Sequence, residues 1–302
     1  MIIKNNQVLK EENFKSEKEM QNYFENNINT ILGLRFIETE FSVGSFRIDT
    51  LAFDEENKSF KIIEYKNVKN HSLVDQGYTY LKLMLERKAD FVLKYNLKTN
   101  NNISIEDVDW SQSRILFISP VFTPYQLNAT DFSNIPVDLY KVTRYEDGIV
   151  EVNQIQKTSN IKIEEVKLDI NTDTVSKEIK VYTEEDHLAK SVESIKEVYE
   201  TLKERILELD DIDVDVKKIY IAFKGTKNIV DVEFYRNFIQ LTLNMKKGTL
   251  IDPENIMSCY VLEDGKELGH HGNGDYYISI RNIEDIDKVI PFIKQSVNIN
   301  KK

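Results

Sequence analysis

Phe46-Arg47-Ile48-Asp49-Thr50-Leu51-Ala52-Phe53 and Ser59-Phe60-Lys61-Ile62-Ile63-Glu64-Tyr65-Lys66 are two strand-like runs, joined by the polar stretch Asp54-Glu55-Glu56-Asn57-Lys58. Apolar, β-branched and aromatic residues dominate both runs, and the connector reads as a hairpin with a longer loop. Side chains at i and i+2 share a strand face. Phe60, Ile62, Glu64 and Lys66 therefore form one row, and Lys61, Ile63 and Tyr65 the other. An apolar row that ends in a carboxylate and an ammonium puts charge at the margin of a core. An unpartnered charge there costs on the order of several kcal/mol. Asp49 interrupts an apolar row in the same way, beside Leu51 and Phe53. Pairing of the runs as a hairpin would bring Asp49, near the start of one, close to Glu64, near the end of the other. Two carboxylates and a lysine would then share one sheet end.

The Glu64-Tyr65-Lys66 triplet alone means little, because Glu56-Asn57-Lys58, Glu178-Ile179-Lys180 and Asp215-Val216-Lys217 have the same form. Its context sets it apart. A salt bridge between Glu64 and Lys66 is the plain alternative. A divalent cation held by Asp49 and Glu64 would satisfy both acids, and Mg²⁺ or Mn²⁺ suits such oxygen ligands. Two acids around a cation with a lysine beside them form a rational site for phosphodiester hydrolysis. The cation stabilises phosphate charge and acidifies water, and the lysine orients that water.

Outward from this hairpin, Ser16 with Glu19 three residues on reads as the capping box of a helix over about Ser16 to Asn29. Met20, Tyr23, Phe24 and Ile28 are its core-facing positions, and Glu17 shares that face by spacing. A second helix is expected over about Leu73 to Arg87. Gln76 and Tyr80, four apart, lie on one face of it. Phe91-Val92-Leu93, Arg114 to Ser119 and Val137 to Arg144 read as strands. After about residue 154 the chain turns polar and lacks aromatics, as a linker or loosely docked arm would. A helix from Thr183 to Leu207 follows, then strands at Ile219 to Phe223, Val230 to Phe234, Phe238 to Met245 and Tyr276 to Ile280, and a helix from about Ile283 to Ser296. The expected organisation is an N-terminal domain over 1–154, a linker over 155–182 and a C-terminal α+β domain over 183–302.

Composition limits the function classes. With 302 residues and 41% hydrophobic residues the chain can bury one large core or two ordinary ones. One cysteine, Cys259, excludes disulfides and a cysteine-based zinc site. No stretch approaches the roughly 20 apolar residues that cross a bilayer, and the N-terminus lacks the apolar core of a signal peptide. A soluble, cytoplasmic protein is expected. The net charge is −11. Residues 1–150 carry 18 Lys/Arg against 22 Asp/Glu (net −4), and the remainder 22 against 29 (net −7). Any site for a polyanion is therefore a local groove and not a whole basic face. Trp110 reads as a packing residue and His71 as a solvated one. In Gly269-His270-His271-Gly272-Asn273-Gly274-Asp275, the glycines read as a turn needing positive φ. A cradle for an anion is the other reading of that loop.

Asp49 with Glu64-Tyr65-Lys66 resembles the signature of the PD-(D/E)XK nuclease superfamily, which includes restriction endonucleases and RecB-like nucleases. Gln76-Gly77-Tyr78-Thr79-Tyr80 is similar to the Gln-x-x-x-Tyr element that follows the lysine strand in RecB-like members. Together with the first helix, the resemblance covers about residues 14–90. It implies an α/β restriction endonuclease-like mixed sheet flanked by helices, with Asp49 and Glu64 as metal ligands. Lys66 and Glu17 would be further catalytic residues, and Gln76 and Tyr80 substrate contacts. It further implies Mg²⁺ (or Mn²⁺), a nucleic-acid partner, DNA before RNA, and a role in bacterial defence or DNA repair, with a homodimer left open and no membrane partner. The rival is a catalytically inactive protein of the same fold that binds nucleic acid or protein. A third reading is a ligand-binding regulator acting through the His270-His271 loop. About residues 186–298 resemble an uncharacterised domain of bacterial "predicted transport proteins", on Tyr220-Ile221-Ala222-Phe223-Lys224, Asp252-Pro253 and the Gly269-to-Asp275 loop.

Overall fold

A computed structural model describes residues 2–67, 73–158, 173–225, 227–262, 265–266, 268–269 and 271–300. His71, His270 and residues 159–172 of the expected linker lie outside the described residues. The chain divides into two compact units, Met1–Val181 and Tyr182–Lys302.

The first unit begins with a small hairpin, β1 (Ile3–Lys4) and β2 (Gln7–Val8), and the short strand β3 (Glu11–Glu12). Helix α1 (Glu17–Leu32) starts where Ser16 accepts the Glu19 N–H and stops at Gly33, whose φ of 67° closes the last turn. Strands β4 (Arg35–Val43), β5 (Phe46–Asp54) and β6 (Ser59–Tyr65) form an antiparallel meander. At the β5–β6 turn, Asp54 accepts the N–H groups of Glu56 and Asn57, the local bonding that makes Asp a turn residue. Helices α2 (Leu73–Glu86) and α3 (Lys88–Thr99) follow. Next come β7 (Arg114–Ser119), α4 (Pro124–Thr130), β8 (Val137–Tyr145), β9 (Val150–Ile155) and α5 (Asp173–Glu178).

The sheet order is β3-β8-β7-β6-β5-β4, with β9 also pairing with β8. The β6–β7 and β7–β8 pairs are parallel, so the sheet is mixed, with helices on both faces, as the sequence led one to expect. On one face Met20, Phe24 and Ile28 of α1 pack on Ala52, Ile63, Tyr65, Leu116 and Ile118. On the other, α2 and α3 cover Leu51, Phe53, Phe60, Ile62 and Phe117. Trp110 is a packing residue, stacked on Phe60 at 5.6 Å between ring centroids.

Several elements differ from the sequence reading; α4, β9, α5 and β10 (Asp213–Val216) were not anticipated, and three further differences have a clear physical reason. Phe91-Val92-Leu93, expected as a strand, lies within α3, where Phe91, Val92 and Tyr95 are buried at helical spacing. A short apolar run fits either period, and helical packing decides it here. Strand β4 escaped the sequence reading. A register shift between Phe36 and Glu38 and a left-handed φ of 50° at Glu40 break its alternation. The helix expected from Thr183 to Leu207 is two helices, α6 (Glu184–Leu188) and α7 (Glu193–Leu207). Between them Ser191 bonds the Tyr235 carbonyl and the Val192 N–H bonds that of Arg236.

The second unit continues with strands β10 (Asp213–Val216), β11 (Tyr220–Lys224), β12 (Asn228–Tyr235), β13 (Phe238–Leu243), β14 (Ser258–Cys259) and β15 (Tyr276–Ile280), and ends with α8 (Glu284–Asn300). The strands form an antiparallel sheet in the order β10-β11-β12-β13-β15-β14. Helices α7 and α8 contribute to the same core as Phe223, Val230, Val232, Ile239 and Leu241. Gly272 (φ 86°) and Gly274 (φ 121°) adopt conformations that glycine tolerates. The Asn273 N–H donates to the buried Asp231 carboxylate at 2.6 Å, so the chain's own acid takes up this amide of the loop. No described helix is long and apolar enough to cross a membrane.

Candidate active site

The pairing of Thr50 with Ile63 brings the next residues, Asp49 and Glu64, side by side at one end of the β5–β6 hairpin. The backbone holds each acid. The Tyr65 N–H donates to Asp49 Oδ2 at 3.1 Å, and the Asp49 N–H donates to Glu64 Oε1 at 3.2 Å. Glu64 is 2% exposed and Asp49 half-buried. Lys66 Nζ lies 3.2 Å from Glu64 Oε2, which also accepts Gln76 Nε2 at 2.8 Å. Gln76 Nε2 reaches Tyr80 Oη at 3.4 Å, and the Tyr80 hydroxyl donates to the Arg47 carbonyl at 3.1 Å. The helical spacing of four thus places Gln76 and Tyr80 as a brace between the acid and the start of β5.

Glu17, the first residue of α1, is exposed and not on the helix's buried face, a correction to the expectation from spacing. A terminal position in the helix leaves its side chain free of the core. Its Oε1 accepts the Asn67 N–H at 2.9 Å, and its charge is among those felt by Asp49. Glu17, Asp49, Glu64, Lys66, Gln76 and Tyr80 therefore all gather around the same sheet end.

Electrostatics set this pair apart from an ordinary surface salt bridge. Burial, then the charge of Asp49, pushes the Glu64 carboxyl up to about 7, against the opposing effect of Lys66. Asp49 is raised as well, first by burial and then by Glu40 and Glu17, despite the Tyr65 N–H and Lys66. One ammonium thus does not offset two crowded carboxylates. Such a donor set fits a hard cation, since Mg²⁺ is commonly held by one or two carboxylates with waters completing its shell. Among the described residues no three His, Cys, Asp or Glu side chains are arranged to hold a metal, so the protein's share would be these two acids.

The sequence reading missed several residues of the site. Gln21 is 3% exposed, and its Nε2 donates to the Asp49 carbonyl at 2.7 Å and to Glu25 at 2.9 Å. Glu25 also accepts the Thr50 hydroxyl at 2.6 Å. The spacing Glu17, Gln21, Glu25, a polar ladder at every fourth residue, was the available signal. Glu40 gave none, because its place opposite Asp49 comes from the irregularity in β4. It is paired with Lys18 at 3.0 Å and Arg47 at 2.8 Å.

Comparison with known proteins adds the following. Residues 184–300 match a family described as a domain of unknown function (DUF5655). An uncharacterized protein of Haemophilus influenzae is 42% identical over 299 residues, spanning 96% of this chain and 95% of its own. Among solved structures, the EndoMS-dsDNA2 complex matches 38% of this chain and 40% of its own at 18% identity, with a TM-score of 0.28. A repair endonuclease from Pyrococcus abyssi matches 40% of this chain and 45% of its own at 19% identity, with a TM-score of 0.27. The matches thus span less than half the length of either solved chain.

Proposed function

This chain belongs to one family with the uncharacterized Haemophilus influenzae protein, and from that premise we propose that it is a divalent-metal-dependent nuclease hydrolysing phosphodiester bonds of nucleic acid. One observation carries the reading: two carboxylates crowd at a sheet end, both with raised proton affinity, and a lysine lies 3.2 Å from one of them. Asp49 and Glu64 would hold Mg²⁺ or Mn²⁺. When bound, such a cation offsets phosphate charge and acidifies water. The Lys66 ammonium orients the attacking water and balances charge developing on the phosphate oxygens. Gln76 and Tyr80 keep Glu64 aimed at the site and line the approach of the substrate backbone. Glu17 assists at the end of α1. DNA is the substrate proposed, and repair or defence the setting.

The test is cleavage of single- and double-stranded DNA by the purified protein with Mg²⁺ or Mn²⁺, beside Asp49→Ala and Lys66→Ala. Each substitution is expected to lower the rate about 10²–10³-fold, the loss typical of removing a group that stabilises developing charge. A wild type that neither cuts nor binds Mg²⁺ by calorimetry would leave a catalytically silent fold used for binding. Cutting that survives both substitutions would remove the site from the argument.

A further inference from the structure

The parallel run β6–β7–β8 places three carboxyl-terminal strand ends on the same edge of the sheet. In open sheets with parallel strands, ligands gather outside such ends. A cavity of about 370 Å³ occupies that edge. Its walls include Asn67 just after β6, Val121 just after β7, and Lys141, Thr143 and Arg144 of β8, with Glu11 and Glu12 of β3 and Phe14 from the segment before α1. The volume falls near the lower end of the roughly 300–1,000 Å³ of small-ligand sites. At this volume it can take one nucleotide but not a double helix.

The lining sets a ring-stacked guanidinium, an exposed ammonium and a hydroxyl beside two carboxylates, of which Glu12 is paired with Arg144. Arg144 is fixed over the Phe14 ring at 5.6 Å, held by Glu19 at 2.9 Å and Glu12 at 3.5 Å. A planar cation locked in a wall offers a stacking surface for a base. Lys141, exposed on β8, supplies positive charge for a phosphate, and Thr143 adds a hydroxyl. Asn67 joins the cavity wall to Glu17, at the start of α1. It directly follows Lys66, its N–H bonds Glu17, and its side chain bonds the Phe14 carbonyl at 3.2 Å.

We propose that this cavity receives one unpaired nucleotide of the substrate strand beside the cut, so that the enzyme prefers single-stranded nucleic acid over a fully paired duplex. The proposal rests on the nuclease reading above. Val121→Trp would fill the cavity from an exposed loop position, and Lys141→Ala would remove charge without touching the core. Two readouts are needed. One is the ratio of single-strand to blunt-duplex cleavage with Mn²⁺. The other is the fluorescence of single-stranded DNAs carrying 2-aminopurine at successive positions, bound in EDTA, where nothing is cut.

The wild type should cut the single strand about tenfold faster than the duplex and change the fluorescence at one position. Val121→Trp should abolish both effects while leaving the duplex rate, and Lys141→Ala should weaken single-strand binding about threefold. Metal-dependent cutting with an unchanged ratio and unchanged fluorescence in both variants would overturn the cavity proposal and leave the nuclease reading standing. Absence of all cutting, with a fluorescence change that Val121→Trp still abolishes, would overturn the nuclease reading and leave the cavity as a nucleotide site.

Discussion

Above neutral pH the Glu64 carboxylate is charged, 2% exposed and beside a second acid. Its carboxyl is raised from the ordinary 4.5 to about 7, so the folded state binds the proton more tightly than the unfolded chain. Stability from this group is therefore fully present below about pH 4.5 and is lost as pH rises through about 7. Glu64→Gln, measured without divalent metal, is expected to stabilise the protein by about 3 kcal/mol at pH 8.5 and by under about 1 kcal/mol at pH 5. Equal denaturation midpoints for the two proteins at pH 8.5 would mean that Glu64 is not held charged against its surroundings. A carboxyl held against its charged form beside a second acid is the kind of perturbation that clusters at functional sites, although structural charge networks also produce it. Sequence alternation was enough to single out Asp49, Glu64 and Lys66, because strand period 2 is a local property. Gln21 and Glu40 were beyond that reasoning, since their meaning comes from partners 28 and 9 residues away on other elements.

Helix α2 owes its position to Gly77. A Cβ there would meet Ile115 Cγ2 at 3.1 Å and Val137 Cγ2 at 3.3 Å, both on buried β-branched side chains of the sheet. The missing side chain lets α2 approach β7 and β8 closely enough for its neighbour Gln76 to reach Glu64. Alanine would improve helix propensity by about 1 kcal/mol, and overpacking would cost about 1–3 kcal/mol. Gly77→Ala is thus expected to lower stability by about 1 kcal/mol in urea denaturation, and to weaken any activity that depends on Gln76. A stabilised variant would show that the helix packs less tightly than the geometry indicates. At this scale the sequence reading was uneven. The spacing of Gln76 and Tyr80 was legible, whereas α3 and β4 were misread or missed. An apolar triplet and an irregular strand carry no decisive local period.

Each of the two units has its own core. The residues of the Met1–Val181 cores and those of the Tyr182–Lys302 core form separate clusters, and Val175 and Ile179 near the end of the first unit belong to its core. Fragments 1–181 and 182–302 are therefore expected to fold separately, each with a cooperative calorimetric transition. A cut at residue 154 should destabilise the first fragment, because Val175 and Ile179 are 2% and 4% exposed and would leave a gap. Failure of fragment 1–181 to fold alone would show that its core is incomplete without the second unit. With a net charge of −11, any site for a polyanion would be a local feature and not a whole basic face.

The sequence by itself determined the two sheet-bearing halves, the β5–β6 hairpin and the meeting of Asp49, Glu64 and Lys66 at its end. Each of these follows from patterns that repeat within a few residues and from the fixed geometry of adjacent strands. Only the tertiary structure decided the rest. It showed that Glu64 is buried enough to hold a proton near neutrality, that Gln21 and Glu40 surround Asp49, and that three parallel strand ends enclose a cavity. Burial, charge crowding and cavity volume depend on segments far apart in the chain approaching one another, and no local period encodes that approach.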